Sequence, residues 1–313
     1  MINVIVVTYN GIQWIDRCLG SLQNQPLISD IIVIDNGSTD GTIERIKENF
    51  SETNLILNTQ NRGFGYSNNQ GLKISMEEKC QYVFLLNQDA WIEDNTLTNL
   101  VRSHQQESRY GILSPMHLRG DGKALDMKFA TFVAQSENHT LISDLYLHRN
   151  EINITYDVQF VNAAAWLISR ECFERVGGFA PIYHHYGEDM DYANRVLFHG
   201  FKIGICPAAM IHHDRKNTII LPDINKPQEY LKMKRIWHLI YLTDIRHSFT
   251  SRSLKTLLIS LGNCLKSLLQ LNGRHLKTYL QELGILLLIY PKVLSNNRIA
   301  KQAGPAFLRS KYP

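Results

Sequence analysis

The sequence predicts an α/β fold: a Rossmann-like, mostly parallel central sheet with flanking helices, followed by a C-terminal helical extension. Three observations carry this. Short β-branched runs alternate with segments of helical periodicity from Ile2 to Gln106. The runs are followed by clusters of Asn, Asp and Gly, the residues that turn a chain. After about Asn225 the pattern gives way to long segments with Leu/Ile stripes and Lys/Arg/His faces.

Ile2–Thr8 is a continuous apolar run ended by Tyr9-Asn10-Gly11, as expected of a strand buried on both faces. Ile12–Gln23 has helical spacing, with Ile15, Leu19 and Leu22 on one side. Asp30–Asp35 is a second strand, Thr42–Asn49 a helix, and Leu55–Asn58 a short third strand. Asn61–Gly65 is a Gly-rich turn before a helix at Ser67–Lys79. Tyr82–Leu86 is a fourth strand and Asp94–Gln106 a helix. From Ile112 to His148 the periodicity weakens. Phe160–Ser169 then reads as a strand, Arg170–Val176 as a short helix, and Glu188–His199 as a helix. Phe201–Pro207 and Met210–His213 read as extended, and Gln228–His247, Ser253–Leu271 and His275–Tyr290 as helices. A composition boundary falls near Asp223. It divides residues 1–223, with halves at 1–110 and 111–223, from a helical region at 224–313.

With 313 residues, 44% of them hydrophobic, the chain can bury a full core in one large domain or a domain plus an accessory part. A net charge of +4 singles out no partner, and no nucleic acid is expected. Five scattered cysteines without paired spacing point to a reducing compartment. The start, MINVIVVTYNG, reads as a strand rather than a signal peptide. The apolar segment Leu283–Pro291 is too short to span a bilayer. A cytoplasmic protein is expected.

In an open α/β sheet, ligands bind beyond the carboxyl ends of the strands. Thr8-Tyr9-Asn10, Asp35-Asn36-Gly37-Ser38 and Asn61-Arg62-Gly63 lie there, offering polar groups and close backbone approach. A carboxylate such as Asp35 can accept hydrogen bonds from a ribose or a base N–H; helix capping is the alternative. The fourth strand runs into Asn87-Gln88-Asp89, where an acid suits a hard divalent cation bridging two phosphates. His212 or His213, ending a distant extended segment, can supply a second ligand.

The stretch HYGEDMDYANRV (His185–Val196) sets Glu188, Asp189 and Asp191 in one helical turn behind aromatic residues and a Gly. Acids at a helix N-terminus are favoured by its dipole. The aromatic approach adds the look of a cleft wall for a hydroxyl-rich ligand, with a carboxylate placed to take a proton. Glu188 and Asp189 point about 100° apart, so one can face the cleft while the other secures the loop.

Together these motifs resemble the family 2 inverting glycosyltransferases of GT-A fold. The matching elements are VVTYNG (Val6–Gly11), IVIDNGSTDGT (Ile32–Thr42), NRGFGYSNNQG (Asn61–Gly71), LLNQDA (Leu85–Ala90), VGGF (Val176–Phe179), YGEDMDYANR (Tyr186–Arg195) and His212-His213, in family order over most of residues 1–215. The nearest flavour is the bacterial rhamnosyltransferase-like branch that builds surface polysaccharides. The resemblance implies that Thr8, Tyr9, Asn10, Asp35 and Asn36 line a nucleotide site, and that Asn61, Gly63 and Asn68 close over the donor. Asn87-Gln88-Asp89 occupies the place of the family's D-x-D motif, with Asn87 departing from it. Asp89 is then expected to hold Mg²⁺ or Mn²⁺ with the diphosphate, and His212 to be the further ligand, with His213 second. Asp189 is the expected catalytic base, supported by Glu188. The donor would be a dTDP- or UDP-sugar and the acceptor a glycan or a lipid-linked one. The basic and aromatic C-terminal helices (Lys232, Lys234, Arg235, Trp237, His238, Lys255, Lys266) suit either an anionic membrane surface, on the cytoplasmic face of the inner membrane, or ordinary packing on the core or in a homodimer.

A non-catalytic sugar-nucleotide or glycan-binding relative is the main rival, fed by Asn87 and opposed by Glu188-Asp189. A dinucleotide oxidoreductase would need G-x-G-x-x-G after the first strand, where Tyr9-Asn10-Gly11-Ile12-Gln13 stands. A nucleotidyltransferase would need a Gly-rich, basic first loop, which the sequence lacks.

Overall fold

A computed structural model describes residues 1–23, 25–135, 140–147, 155–215 and 223–308. Of residues 115–156, 136–139 and 148–154 lie outside that description, as do residues 309–313 of the helical extension. The chain begins β1 (Ile2–Thr8), α1 (Ile15–Gly20), β2 (Ile28–Asp35), α2 (Thr42–Asn49), β3 (Asn54–Leu57) and α3 (Phe64–Glu77). It continues with β4 (Tyr82–Asn87), β5 (Ala90–Ile92), α4 (Thr96–Gln106), β6 (Tyr110–Arg119), α5 (Met127–Gln135) and α6 (Thr140–Tyr146). Then follow β7 (Tyr156–Val158), β8 (Ala165–Ser169), α7 (Arg170–Val176), α8 (Glu188–Phe198) and β9 (Lys202–His213). Three long helices close the described chain: α9 (Pro227–Thr243), α10 (Phe249–Leu269) and α11 (Gly273–Ala300).

The strands form one sheet in the order β3-β2-β1-β4-β8-β6-β9-β5, with β7 also on β9. β3, β2, β1 and β4 are mutually parallel, so their carboxyl ends share one edge. β8 joins antiparallel to both β4 and β6, and β6 runs parallel to β9. Alternation along β1 feeds two cores: Val4 and Val6 pack on the α1 side, and Ile5 on the α3 side.

β6 is where periodicity failed. It is buried almost throughout, so it has no polar face, and Ser114, Pro115 and His117 interrupt its apolar run. Pro115 sits at a register shift against β9, where the ladder is already broken. The same shift spans Pro207–Ala209, so the two extended segments expected there are one bulged strand. Helix α11 continues through Pro291 to Ala300 rather than stopping at Tyr290. Pro291 lies on the exposed side of the helix, so its missing N–H frees a carbonyl that water can reach.

α9 and α11 share a core with the segment before α8: Ala180 and Tyr183 pack among Leu239, Leu242, Leu286 and Val293. The tail beyond α11 crosses the turn after α7. Gly178 N–H donates to the Ala306 carbonyl (2.8 Å), and Gly304 N–H to that of Arg175 (2.8 Å). Gly177 has φ +84°, and a Cβ there would lie 2.0 Å from the Ala306 oxygen. Among the described residues, no helix is long and apolar enough to cross a membrane.

Candidate active site

The β1 and β2 ends are bonded to each other before any ligand arrives. Asp35 is fully buried, and its carboxylate accepts from the Thr8 hydroxyl (2.8 Å), the Gly37 and Ser38 N–H groups (2.9 and 2.8 Å) and the Ser38 hydroxyl (2.5 Å). Asn36 is buried too; its Oδ1 accepts from the Ser67 hydroxyl (2.7 Å) and Asn58 Nδ2 (3.1 Å). Thr8, Asp35 and Asn36 therefore face protein rather than open solvent. After β1, Tyr9 and Asn10 are exposed, as are Thr39 and Asp40 after β2. Asn10 adopts φ +48°, with its N–H on Ser38 Oγ and its Oδ1 receiving Thr39 N–H. The Gln88 amide holds Tyr9 in place, accepting its N–H (2.9 Å) and donating to its carbonyl (3.1 Å).

Asn61 is exposed and its Oδ1 accepts the Gly63 N–H (2.9 Å). Gly63, at φ +86°, lies against the loop before α8: a Cβ there would come within 2.1 Å of the His184 carbonyl oxygen. Only glycine permits that contact, which brings the Asn61–Gly63 turn to the wall that carries Glu188 and Asp189. Asn68 is buried one turn into α3, donating to the Phe64 carbonyl at the start of the helix.

Asp89 follows β4, and β5 pairs with the end of β9 so that Ala90 faces His213 and Trp91 faces His212. Successive residues on a strand point to opposite faces, and this separates the two histidines. His213 is buried, with Nε2 3.3 Å from Asp89 Oδ1 and Nδ1 3.9 Å from Asp126 Oδ2. His212 points the other way, stacked on Trp91 (5.4 Å between centroids) and 3.3 Å from Glu93. The structure thus brings His213, not His212, to Asp89. Both ring nitrogens of His213 are buried without a hydrogen-bond partner. An orphaned imidazole aimed at a carboxylate fits a divalent cation between them. Among the described residues no three His, Cys, Asp or Glu side chains converge on such a point, so phosphate oxygens would have to complete the set.

Gly187, at φ +97°, starts α8, and Tyr186 before it holds φ +70°, a strained setting for an aromatic residue. The two turn the chain so that Glu188 and Asp189 head the helix. Glu188 is buried and its Oε2 has no hydrogen-bond partner. Burial first, and then the Asp189 charge, push its carboxyl up to about 7. Asp189 is half-buried and also raised by burial, with the N–H groups of Met190 and Ala163 opposing the rise. Asp191 turns inward to Arg195 (2.8 Å), whose other nitrogens donate to the Val176 and Gly178 carbonyls. It thereby anchors the Gly-Gly-Phe turn instead of lining the cleft.

Asp189 and Asn87 stand beside one dipeptide. Ala163 and Asp189 line one cleft, and the Ala164 carbonyl accepts from Asn87 N–H (2.9 Å). A cleft of about 340 Å³ opens there, lined by Asn87, Glu188 and Asp189 together with residues that sequence reasoning missed: Lys128, Arg215, Phe160 and Trp237. Arg215 pairs with both oxygens of Asp126. Burial pushes Asp126 up, but Arg215 and Phe129 N–H hold it below the usual carboxylate range. Arg215 stands two residues past His213, a signal the sequence did offer. Asp126 lies in the stretch without periodicity, and Trp237 in a helix with no motif.

Comparison with known proteins bears on family and fold. The sequence profile of a family described as "Glycosyl transferase family 2" matches residues 3–177, more than half of the chain, and one described as "N-terminal domain of galactosyltransferase" matches residues 145–216. The chain is 27% identical over 221 residues to the O-antigen chain rhamnosyltransferase WbaN of Salmonella anatum, covering 69% of this chain and 66% of that protein. It is 24% identical over 268 residues to the N-acetylglucosaminyl-diphospho-decaprenol L-rhamnosyltransferase of Mycobacterium tuberculosis, covering 78% and 84%. The chain thus spans about two thirds of the length of the Salmonella relative. In fold it is similar to S. aureus TarS 1-349 (TM-score 0.53, 17% identity, covering 96% of this chain and 90% of that one). It is also similar in fold to GalNAc-T7 with UDP, GalNAc and Mn²⁺ (TM-score 0.54, 15%, covering 78% and 50%). With its GT-A sheet and the profile match over residues 3–177, the chain belongs to glycosyltransferase family 2 and is a glycosyltransferase.

Proposed function

We propose that the protein transfers a sugar, of rhamnosyl or hexosyl type, from a dTDP- or UDP-sugar to a hydroxyl of a glycan or lipid-linked acceptor, with inversion, in bacterial surface polysaccharide synthesis. The observation that carries this is the cleft in which Asp189 stands with Ala163-Ala164, the dipeptide bonded to the end of β4. In this reading residues 1–110 hold the donor, 111–223 the acceptor, and 224–313 form the helical part that walls the cleft through Trp237.

Asp189 is the base. The Met190 N–H holds its orientation (2.8 Å), and partial burial raises its proton affinity without removing it from the cleft. A single carboxylate on the face opposite the leaving group suffices for one inverting displacement. Glu188 lines the same cleft, and its raised proton affinity, from burial and the Asp189 charge, limits the negative charge beside Asp189. Tyr9 and Asn10 are exposed and placed to meet the nucleoside; Gln88 and Ser38 hold them, and Thr8, Asp35 and Asn36 brace the strand ends beneath. Asp89 and His213 would hold Mg²⁺ or Mn²⁺; a mixed oxygen–nitrogen pair suits Mn²⁺ better than the harder Mg²⁺. The ion supplies charge neutralisation of the departing diphosphate. Asn87 contributes an amide in place of a charge. The rhamnosyltransferase names of the relatives favour a rhamnosyl donor.

The test is nucleoside diphosphate release from dTDP-rhamnose and a set of UDP-sugars, with and without Mn²⁺. Release from one donor that is lost in Asp189→Asn supports the assignment. Undiminished release in that variant removes Asp189 as base.

A further inference from the structure

Helix α10 is amphipathic in the reverse sense. Its buried side carries Thr256, Ser260, Cys264 and Ser267, small residues that let it pack on α11. Its outward side carries Leu254, Leu258, Leu261, Leu265 and Leu268, each 45–59% exposed. Their 4-3-4-3 spacing keeps all five within one narrow stripe at about 100° per residue. A helix serving only an aqueous surface would place these the other way round. On α11, Leu280, Leu287 and Leu294 repeat every seven residues and are exposed as well.

Charge decides what covers this face. Residues 245–313 contain one acid, Glu282, and it is buried against His238 (2.8 Å) and Tyr230 (3.0 Å). Lys255 and Lys266 are exposed, and eleven residues apart they share one flank of the Leu stripe. Lys277, Lys292 and Arg298 are exposed on α11. Residues 223–313 hold fifteen Lys and Arg against four Asp and Glu, while residues 1–222 hold 18 against 25. A seam built to pair with a second copy would carry both signs on its flanks. Here a second copy would bring cations to cations. Apolar ridges flanked only by cations match the acyl boundary and headgroups of an anionic bilayer, with lysine stems lying along the apolar surface.

We propose that the C-terminal helices dock on an anionic lipid bilayer, with the Leu254–Leu268 stripe of α10 entering the interface and Lys255 and Lys266 at the headgroups. The docking places the cleft near that surface. Trp237 lines both the Asp189 cleft and a neighbouring hollow whose far side is Lys255 and Ile259 of α10. An acceptor anchored in the bilayer would thus reach Asp189 along α9.

The test is co-sedimentation of the full chain with vesicles of phosphatidylcholine alone and of phosphatidylcholine mixed with phosphatidylglycerol. The chain is expected to bind the mixed vesicles and to release them as salt is raised. Leu258→Ser with Leu265→Ser is expected to weaken binding by roughly tenfold or more. Lys255→Glu with Lys266→Glu, which leaves every leucine in place, is expected to abolish the preference for the anionic lipid. Equal or absent binding to the two vesicles overturns the proposal. So does a dimer in analytical ultracentrifugation that the leucine pair dissociates while vesicles go unbound. Vesicle binding needs no sugar, so either failure leaves the assignment of Asp189 standing.

Discussion

At the ends of β1 and β2, Asp35 accepts four hydrogen bonds and Asn36 at least two, all from the protein itself. Across the cleft, Glu188 leaves an oxygen without a partner and His213 both ring nitrogens. Both regions are polar and buried. In the proposed function the first is a finished scaffold that would present Tyr9 and Asn10 to a ligand. The second stores unmet hydrogen-bonding capacity and raised carboxyls, which cost stability unless something is to bind or react there. On the proposed function, the contrast separates residues that shape the site from residues that would act in it.

The sharpest way to break this contrast is to remove the acting group. Asp189→Asn keeps the shape and is expected to lower kcat by about 10³-fold, in steady-state transfer assays. A fall of a few fold would move the base elsewhere, to Glu188 first. Glu188 itself gives a pH signature. Its folded value of about 7 stands above the ordinary 4.5, so the fold prefers its protonated form. Its stabilising contribution is complete below about pH 4.5 and is lost as the pH rises through 7, a change of about 3 kcal/mol. Urea midpoints taken across that range should fall in the native chain and stay flatter in Glu188→Gln. His213→Ala is expected to weaken Mn²⁺ binding by roughly a hundredfold in a metal titration, and His212→Ala by far less. Equal losses would mean that the alternation on β9 does not govern the site. On the scaffold side, Asp35→Asn is expected to destabilise the fold by about 2 kcal/mol, read as a lower Tm. A lost kcat with an unchanged Tm would make Asp35 an acting residue after all.

The sequence showed the parallel half of the sheet well because each element there has its own period and its own turn residues. It also placed Tyr9, Asn10, Asp89, Glu188 and Asp189 at the ends of strands or the head of a helix, where the structure has them. It did not show which polar residues at those ends look inward. Asp35 and Asn10 have the same turn-forming character in sequence, and only the packing of the β2 loop on β1 buries one and exposes the other. Choosing between His212 and His213 required the register of β5 on β9, which is a long-range pairing. Trp237, Asp126 and Arg215 reach the cleft from elements that touch only in three dimensions, and β6 was obscured because a strand buried on both faces has no alternation to read.

The tail segment laid over Gly177 and Gly178 has a consequence for synthesis. Residues 304–306 leave the ribosome after the sheet and after α11, yet they cover the turn that Arg195 clamps from beneath. Until they emerge, that turn is held from one side only. A chain cut short before Gly304 would carry every proposed site residue without the clasp over the turn that leads to them.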